Sequence, residues 1–119
     1  MNAQPGLRHG IDLVDIAEFR SVFDRHAAFE PRVFSDGERD YCRSQADPAV
    51  HFAARFAAKE ATLKALGLGM GAVGIDAKLR EIEVTREGGP PEIRLSGRVA
   101  QAARRNGVRT TVVSLSHTK

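Results

Sequence analysis

Glu60 and Lys64 stand four residues apart in the segment HFAARFAAKEATLKAL, which is rich in Ala and Leu. In a helix this spacing puts both side chains on one face. Arg55 and Lys59 fall on neighbouring faces one turn earlier. The plain reading is a solvated face with one Glu-to-Lys pair, worth about 0.3–0.5 kcal/mol. The chemical reading needs a second acid, and Asp12 supplies it if the first strand packs beside this helix. Two carboxylates can hold Mg²⁺, which takes few protein ligands and completes its octahedron with water and phosphate oxygens. The nearby cations would neutralise phosphate charge.

Other residues offer less. The sequence closes on Ser114-Leu115-Ser116-His117-Thr118-Lys119, a small polar cluster that could bind a phosphate. A His near a strand end is more often structural or merely exposed. A Ser–His nucleophile would also need an orienting acid that spacing does not reveal. Glycines at 67, 69, 71 and 74 mark a loop that would let a nucleotide approach the backbone. That loop follows a helix instead of opening one and lacks the Walker pattern, which excludes a P-loop. The single cysteine, Cys42, forms no intramolecular disulfide and joins no Cys/His cluster. It reads as a packed residue in a helix.

The elements that must position these groups are legible from caps and periodicity. Residues 7–14 alternate as a strand, with Asp12 on the face opposite Leu7, His9, Ile11 and Leu13. Asp15 caps a following helix, with Glu18 as its capping-box partner, and Pro31 closes that segment. Ser35 and Glu38 form a second capping box. Asp47 and Pro48 start the third and clearest helix, which stops at Gly67. A strand from Arg80 to Thr85 pairs across Gly88-Gly89-Pro90-Pro91 with a strand from Glu92 to Leu95. Ser96 caps a helix ending before Gly107, and 108–116 is the last strand. The order β-α-α-α-β-β-α-β lacks regular βαβ alternation and predicts an α+β fold in one domain, 1–119.

Composition sets the outer bounds. The 119 residues suffice for one domain. The 42% hydrophobic and 28% charged content is that of a folded globular protein. A membrane helix needs about 20 consecutive apolar residues, and no such run occurs. No secretory signal opens the sequence, so the expected compartment is the cytoplasm. A net charge of +3 favours an anionic partner. Trp is absent and no Lys/Arg run exceeds two residues, which argues against nucleic acid.

Together the segments resemble the 4′-phosphopantetheinyl transferases of the small holo-[acyl-carrier-protein] synthase type. The resemblance is carried in order by Gly10-Ile11-Asp12-Leu13-Val14, by Phe29, Arg32, Phe34, Ser35 and Glu38, by Arg55-Phe56-Ala57-Ala58-Lys59-Glu60-Ala61 with Lys64-Ala65-Leu66-Gly67, and by Ser114-Leu115-Ser116-His117. It spans Gly10 to Thr118. It implies an antiparallel sheet with packed helices, and a reaction in which coenzyme A donates its phosphopantetheine arm to a serine of apo acyl carrier protein, releasing 3′,5′-ADP. By position it makes Asp12 and Glu60 the Mg²⁺ ligands and Lys64 a stabiliser of phosphate charge. Glu60 is the candidate base, with Lys64 the alternative. Arg55, Lys59, Lys64, Ser116, His117 and Thr118 would hold coenzyme A. The resemblance also implies a homotrimer with sites between subunits.

Two departures stand out. Many members carry an Arg six residues after the strand Asp, to meet the carrier protein. Glu18 holds that place here, which leaves Arg20 or Arg25 for docking. Members usually continue past the closing His into a further strand, whereas this sequence ends at Lys119. The alternative reading is therefore a relative that grips coenzyme A or carrier protein with weak turnover.

Overall fold

A computed structural model describes residues 14–68, 75–86 and 88–108. Six helices and two strands occur among them: α1 Ile16–Arg25, α2 Phe29–Val33, α3 Asp36–Arg43, α4 Pro48–Ala65, α5 Ile75–Arg80, β1 Ile82–Thr85, β2 Glu92–Leu95 and α6 Gly97–Arg105. The strands expected over 7–14 and 108–116 lie outside the described residues except for Val14 and Val108, and so does the loop over 69–74.

The helix starts follow their local chemistry. Asp15 Oδ1 accepts from the Glu18 amide at 3.0 Å and caps α1. At α3 the capping box is complete: Ser35 Oγ accepts from the Glu38 amide at 3.2 Å, and Glu38 Oε1 accepts from the Ser35 amide at 2.9 Å. Pro48 takes the first turn of α4, and the chain leaves this helix through Gly67 at φ 75°, the left-handed conformation that glycine adopts without a Cβ penalty. Asp47 sits at the N-cap of α4 without a side-chain cap bond. Both its carboxylate oxygens are instead taken by Arg20 of α1, each at 3.1 Å.

Three expectations are corrected. Pro31 does not terminate a helix; it lies inside the short helix α2. In a first turn the missing proline N–H would have had no partner, so the residue is tolerated there. Arg80 is the last residue of α5 and not the first of a strand, and β1 begins at Ile82. Arg80 Nη1 donates to the carbonyls of Pro31, at 2.6 Å, and Phe34, which ties α5 to the α2–α3 corner. Ser96 occupies the N-cap of α6, but the cap bond comes from the turn between α5 and β1: Glu81 Oε1 accepts from the Val99 amide at 2.9 Å. Gly97 makes room for this, since a Cβ there would fall 2.4 Å from Glu81 Oε2.

The hairpin is antiparallel, with Ile82 opposite Leu95 and Val84 opposite Ile93. Ile82 and Val84 face inward and are buried. All six phenylalanines of the sequence form one connected cluster. Phe52 of α4 makes its closest ring contacts, 4.8 Å from both Phe23 of α1 and Phe34. Each such aromatic pair contributes about 0.5–1.5 kcal/mol beyond its buried area. This cluster clamps α1 and the α2–α3 corner onto α4, so few aromatics suffice because they are concentrated in one place.

Candidate active site on helix α4

The helix α4 separates its four charged candidates by depth. Arg55 and Lys59 share a stripe with Phe52 and Leu63, and all four are buried. Glu60 is half-buried, and Lys64 is exposed in the last turn. The separation follows from helical geometry, since consecutive residues point about 100° apart.

Lys59 departs from its expected place in a coenzyme A pocket. Its side chain is 0% exposed. Nζ donates to Glu38 Oε1 at 2.7 Å, to the Leu79 carbonyl at 2.9 Å and to the Ile82 carbonyl. An ammonium has three protons, and these three acceptors use them all. No donor is left to reach a phosphate. Burial pulls the Lys59 pKa below its ordinary value, while Glu38 opposes the shift. Glu38 is itself fully buried and satisfied. Besides Lys59 it serves the Ser35 amide through Oε1 and the Val84 amide, at 2.9 Å, through Oε2. Ser35 Oγ extends the network to Glu83 Oε2 at 2.6 Å.

Arg55 is 2% exposed. Its guanidinium lies 4.4 Å over the ring of Tyr41, a cation–π contact from α3. Among the described residues, Arg55 Nε has no hydrogen-bond partner. A buried guanidinium with donor capacity to spare is suited to an anion, because its fork matches phosphate geometry.

The other expected site residues distribute as follows. Asp12, Ser116, His117 and Thr118 lie outside the described residues. Arg20 is half-exposed and held bidentate by Asp47, which raises its pKa and lowers that of Asp47. Arg25 is exposed, with Nε donating to the Ser21 carbonyl at 3.3 Å. Among the described residues no three His, Cys, Asp or Glu side chains converge as a metal site. Glu60 is the described member of the expected acidic pair. A pair of carboxylates is the hard-oxygen donor set that Mg²⁺ takes, so the donor chemistry fits the ion. Cys42 is fully buried, as expected of a packed residue, and burial pushes its thiol up to about 11.

Sequence reasoning gave Glu38 a capping role and missed its partnership with Lys59. The signal was present in both helices. Glu38 shares the inward stripe of α3 with Cys42, four residues on, and Lys59 shares one with Phe52 and Leu63. A charge on an apolar stripe calls for a buried countercharge.

Comparison with known proteins agrees with this picture. Residues 8–114 match the 4′-phosphopantetheinyl transferase superfamily. A holo-[acyl-carrier-protein] synthase of Syntrophus aciditrophicus is 42% identical over 112 residues, covering 92% of this chain and 85% of the relative. The holo-[acyl-carrier-protein] synthase of Helicobacter pylori, solved in complex with coenzyme A, superposes with a TM-score of 0.74 at 28% identity, over 93% of this chain and 90% of that one. The fold is shared as well with the Neisseria meningitidis holo-[acyl-carrier-protein] synthase, at TM-score 0.80 and 24% identity over 94% of this chain and 89% of that one. The α+β architecture, the charged face of α4 and these likenesses lead to one conclusion: the chain belongs to the 4′-phosphopantetheinyl transferase superfamily, as an enzyme of the holo-[acyl-carrier-protein] synthase type.

Proposed function

We propose that this enzyme moves the 4′-phosphopantetheine arm of coenzyme A onto a serine of apo acyl carrier protein and releases 3′,5′-ADP. The carrying observation is the layering of α4, which keeps Lys59 inside and leaves Glu60 and Lys64 toward the surface. The serine oxygen forms a bond to a phosphorus of the diphosphate, and the bond to the departing ADP oxygen breaks. The serine proton must leave, and negative charge gathers on the phosphate oxygens.

Each residue then has a task. Glu60 takes the serine proton, directly or through a water, with Lys64 as the alternative base. Lys64 faces the phosphate charge. Arg55 offers its spare donor capacity to a coenzyme A phosphate, with Ser116, His117 and Thr118 completing that pocket. Asp12 and Glu60 would hold Mg²⁺, which supplies charge neutralisation at the diphosphate. Arg20 and Arg25 on α1 face an acidic carrier protein, and a homotrimer with sites between subunits would complete the cleft.

The test is the intact mass of apo acyl carrier protein after incubation with the enzyme, coenzyme A and Mg²⁺, beside an EDTA control. A gain of one phosphopantetheine that disappears with EDTA supports transfer and metal dependence together. No gain from a folded enzyme that still binds coenzyme A overturns transfer. A gain that survives EDTA overturns the metal assignment alone.

A further inference from the structure

From the buried network beneath α4, we infer that Lys59 and Glu38 are positioning residues that set the rotation of α4 and thereby aim Glu60 at its metal; this rests on the reading of Glu60 as a Mg²⁺ ligand. The pair joins four elements at one point. Lys59 belongs to α4 and Glu38 to α3, while the Leu79 carbonyl they bind belongs to α5 and the Ile82 carbonyl and Val84 amide to β1. Among the described residues the Ile82 carbonyl and the Val84 amide are thus met by side chains.

The apolar contacts of α4 do not fix rotation to the same degree. Phe52, Leu63 and the alanines of this helix resist displacement by close packing, but their contacts are non-directional. A three-donor ammonium held by a carboxylate and two carbonyls is directional, because each bond weakens steeply once its angle is lost. Glu60 follows Lys59 directly in the chain, so fixing the direction of one side chain fixes that of the next. Site geometry matters at about 0.5 Å for such constellations. A ligand whose own position is set by a second layer loses about 10- to 100-fold in metal affinity when that layer is removed.

The experiment measures Mn²⁺ binding by electron paramagnetic resonance, with coenzyme A present and no carrier protein, so that no turnover occurs. The main variant is the double Glu38→Gln/Lys59→Met, which removes both charges at similar volume; neutral replacement of a buried pair is often tolerated. Folding is checked by near-ultraviolet circular dichroism. The expected result is a folded variant whose Mn²⁺ dissociation constant rises about 10-fold, with a parallel rise in half-saturating Mg²⁺ in the transfer assay and an unchanged KM for coenzyme A. A lower folded fraction reduces apparent kcat but leaves metal half-saturation where it was, so this readout separates positioning from stability.

A folded double variant with Mn²⁺ affinity within about twofold of wild type overturns the inference. Failure of both the double variant and the single Glu38→Gln to fold overturns it too, in favour of a pair that the whole fold requires. Glu60→Gln is the control for the underlying reading. If it keeps full Mn²⁺ affinity, Glu60 is not a ligand, whatever the pair does.

Discussion

The same two chemical groups, a cation and a carboxylate, meet in two very different places in this molecule. Lys59 and Glu38 meet at 2.7 Å with both side chains 0% exposed. Arg20 and Asp47 meet at 3.1 Å with side chains 43% and 51% exposed. The exposed pair is bidentate and geometrically good, yet water competes for both partners and salt screens them. The buried pair has left water behind. Its desolvation cost is offset only because every proton of Lys59 and several lone pairs of Glu38 find partners. Breaking the outer pair leaves two solvated ions, whereas breaking the inner one strands a charge.

Glu30, itself buried but paired with exposed arginines, lies between these extremes. It receives Arg39 Nε at 3.0 Å and Arg43 Nε at 3.3 Å, and its side chain is 11% exposed while the arginines are 38% and 54% exposed. Burial acts to raise its pKa, but the bonds to Arg43 and Arg39 outweigh it and hold the carboxyl below its ordinary value of 4.5.

Four sets of substitutions test how depth sets the role of each charged group. The largest effect belongs to Glu60→Ala, on the outward side of α4. Transfer to the carrier serine should fall by about 10²-fold or more while the urea midpoint stays near wild type. Near-normal turnover would remove Glu60 from the chemistry. Next is Lys59→Ala, which leaves the Glu38 carboxylate in the interior without its cation and should cost about 3–5 kcal/mol in urea denaturation. A loss under about 1 kcal/mol would show that the buried pair behaves like a surface one.

Glu30→Gln should cost less, about 1–2 kcal/mol at neutral pH after allowing for the exposed arginines. Its pH dependence has a definite sign. A carboxyl with a lowered folded pKa contributes stability above its unfolded value of 4.5, and that contribution fades as pH falls through the folded pKa. The wild-type advantage over Glu30→Gln should therefore shrink below pH 4.5. An advantage that grows on acidification would contradict the ion-pair account.

The smallest effect concerns the exposed pair. Asp47→Asn releases Arg20 and should lower the KM for an acidic carrier protein by about two- to threefold, while Arg20→Ala should raise it by a similar factor. Both changes should vanish in high salt. Equal effects of the two substitutions in the same direction would mean that Arg20 does not dock the carrier.

The amino-acid sequence alone determined the helix starts at Asp15, Ser35 and Pro48, the exit at Gly67, and the hairpin about the Gly-Gly-Pro-Pro turn. These are local decisions, made by side chains bonding to backbone a few residues away or by φ preference. It also carried the ordered motifs by which the family is recognised. It did not reveal α5 or the start of β1, because Arg80 is held by carbonyls of Pro31 and Phe34 from another part of the chain. It placed Ser96 as a cap but not Glu81, which reaches α6 from before the hairpin.

The misplacement of Lys59 is the clearest instance of this limit. A lysine beside a glutamate in a charged helical motif reads as surface, since lysines are almost never fully buried unless paired. Its pair is Glu38, 21 residues away, and its other acceptors come from Leu79 and Ile82. Helical spacing separates the faces of α4, but only packing decides which face turns inward. That decision is made where four elements meet, because a buried ammonium is stable only where the folded chain brings its acceptors together.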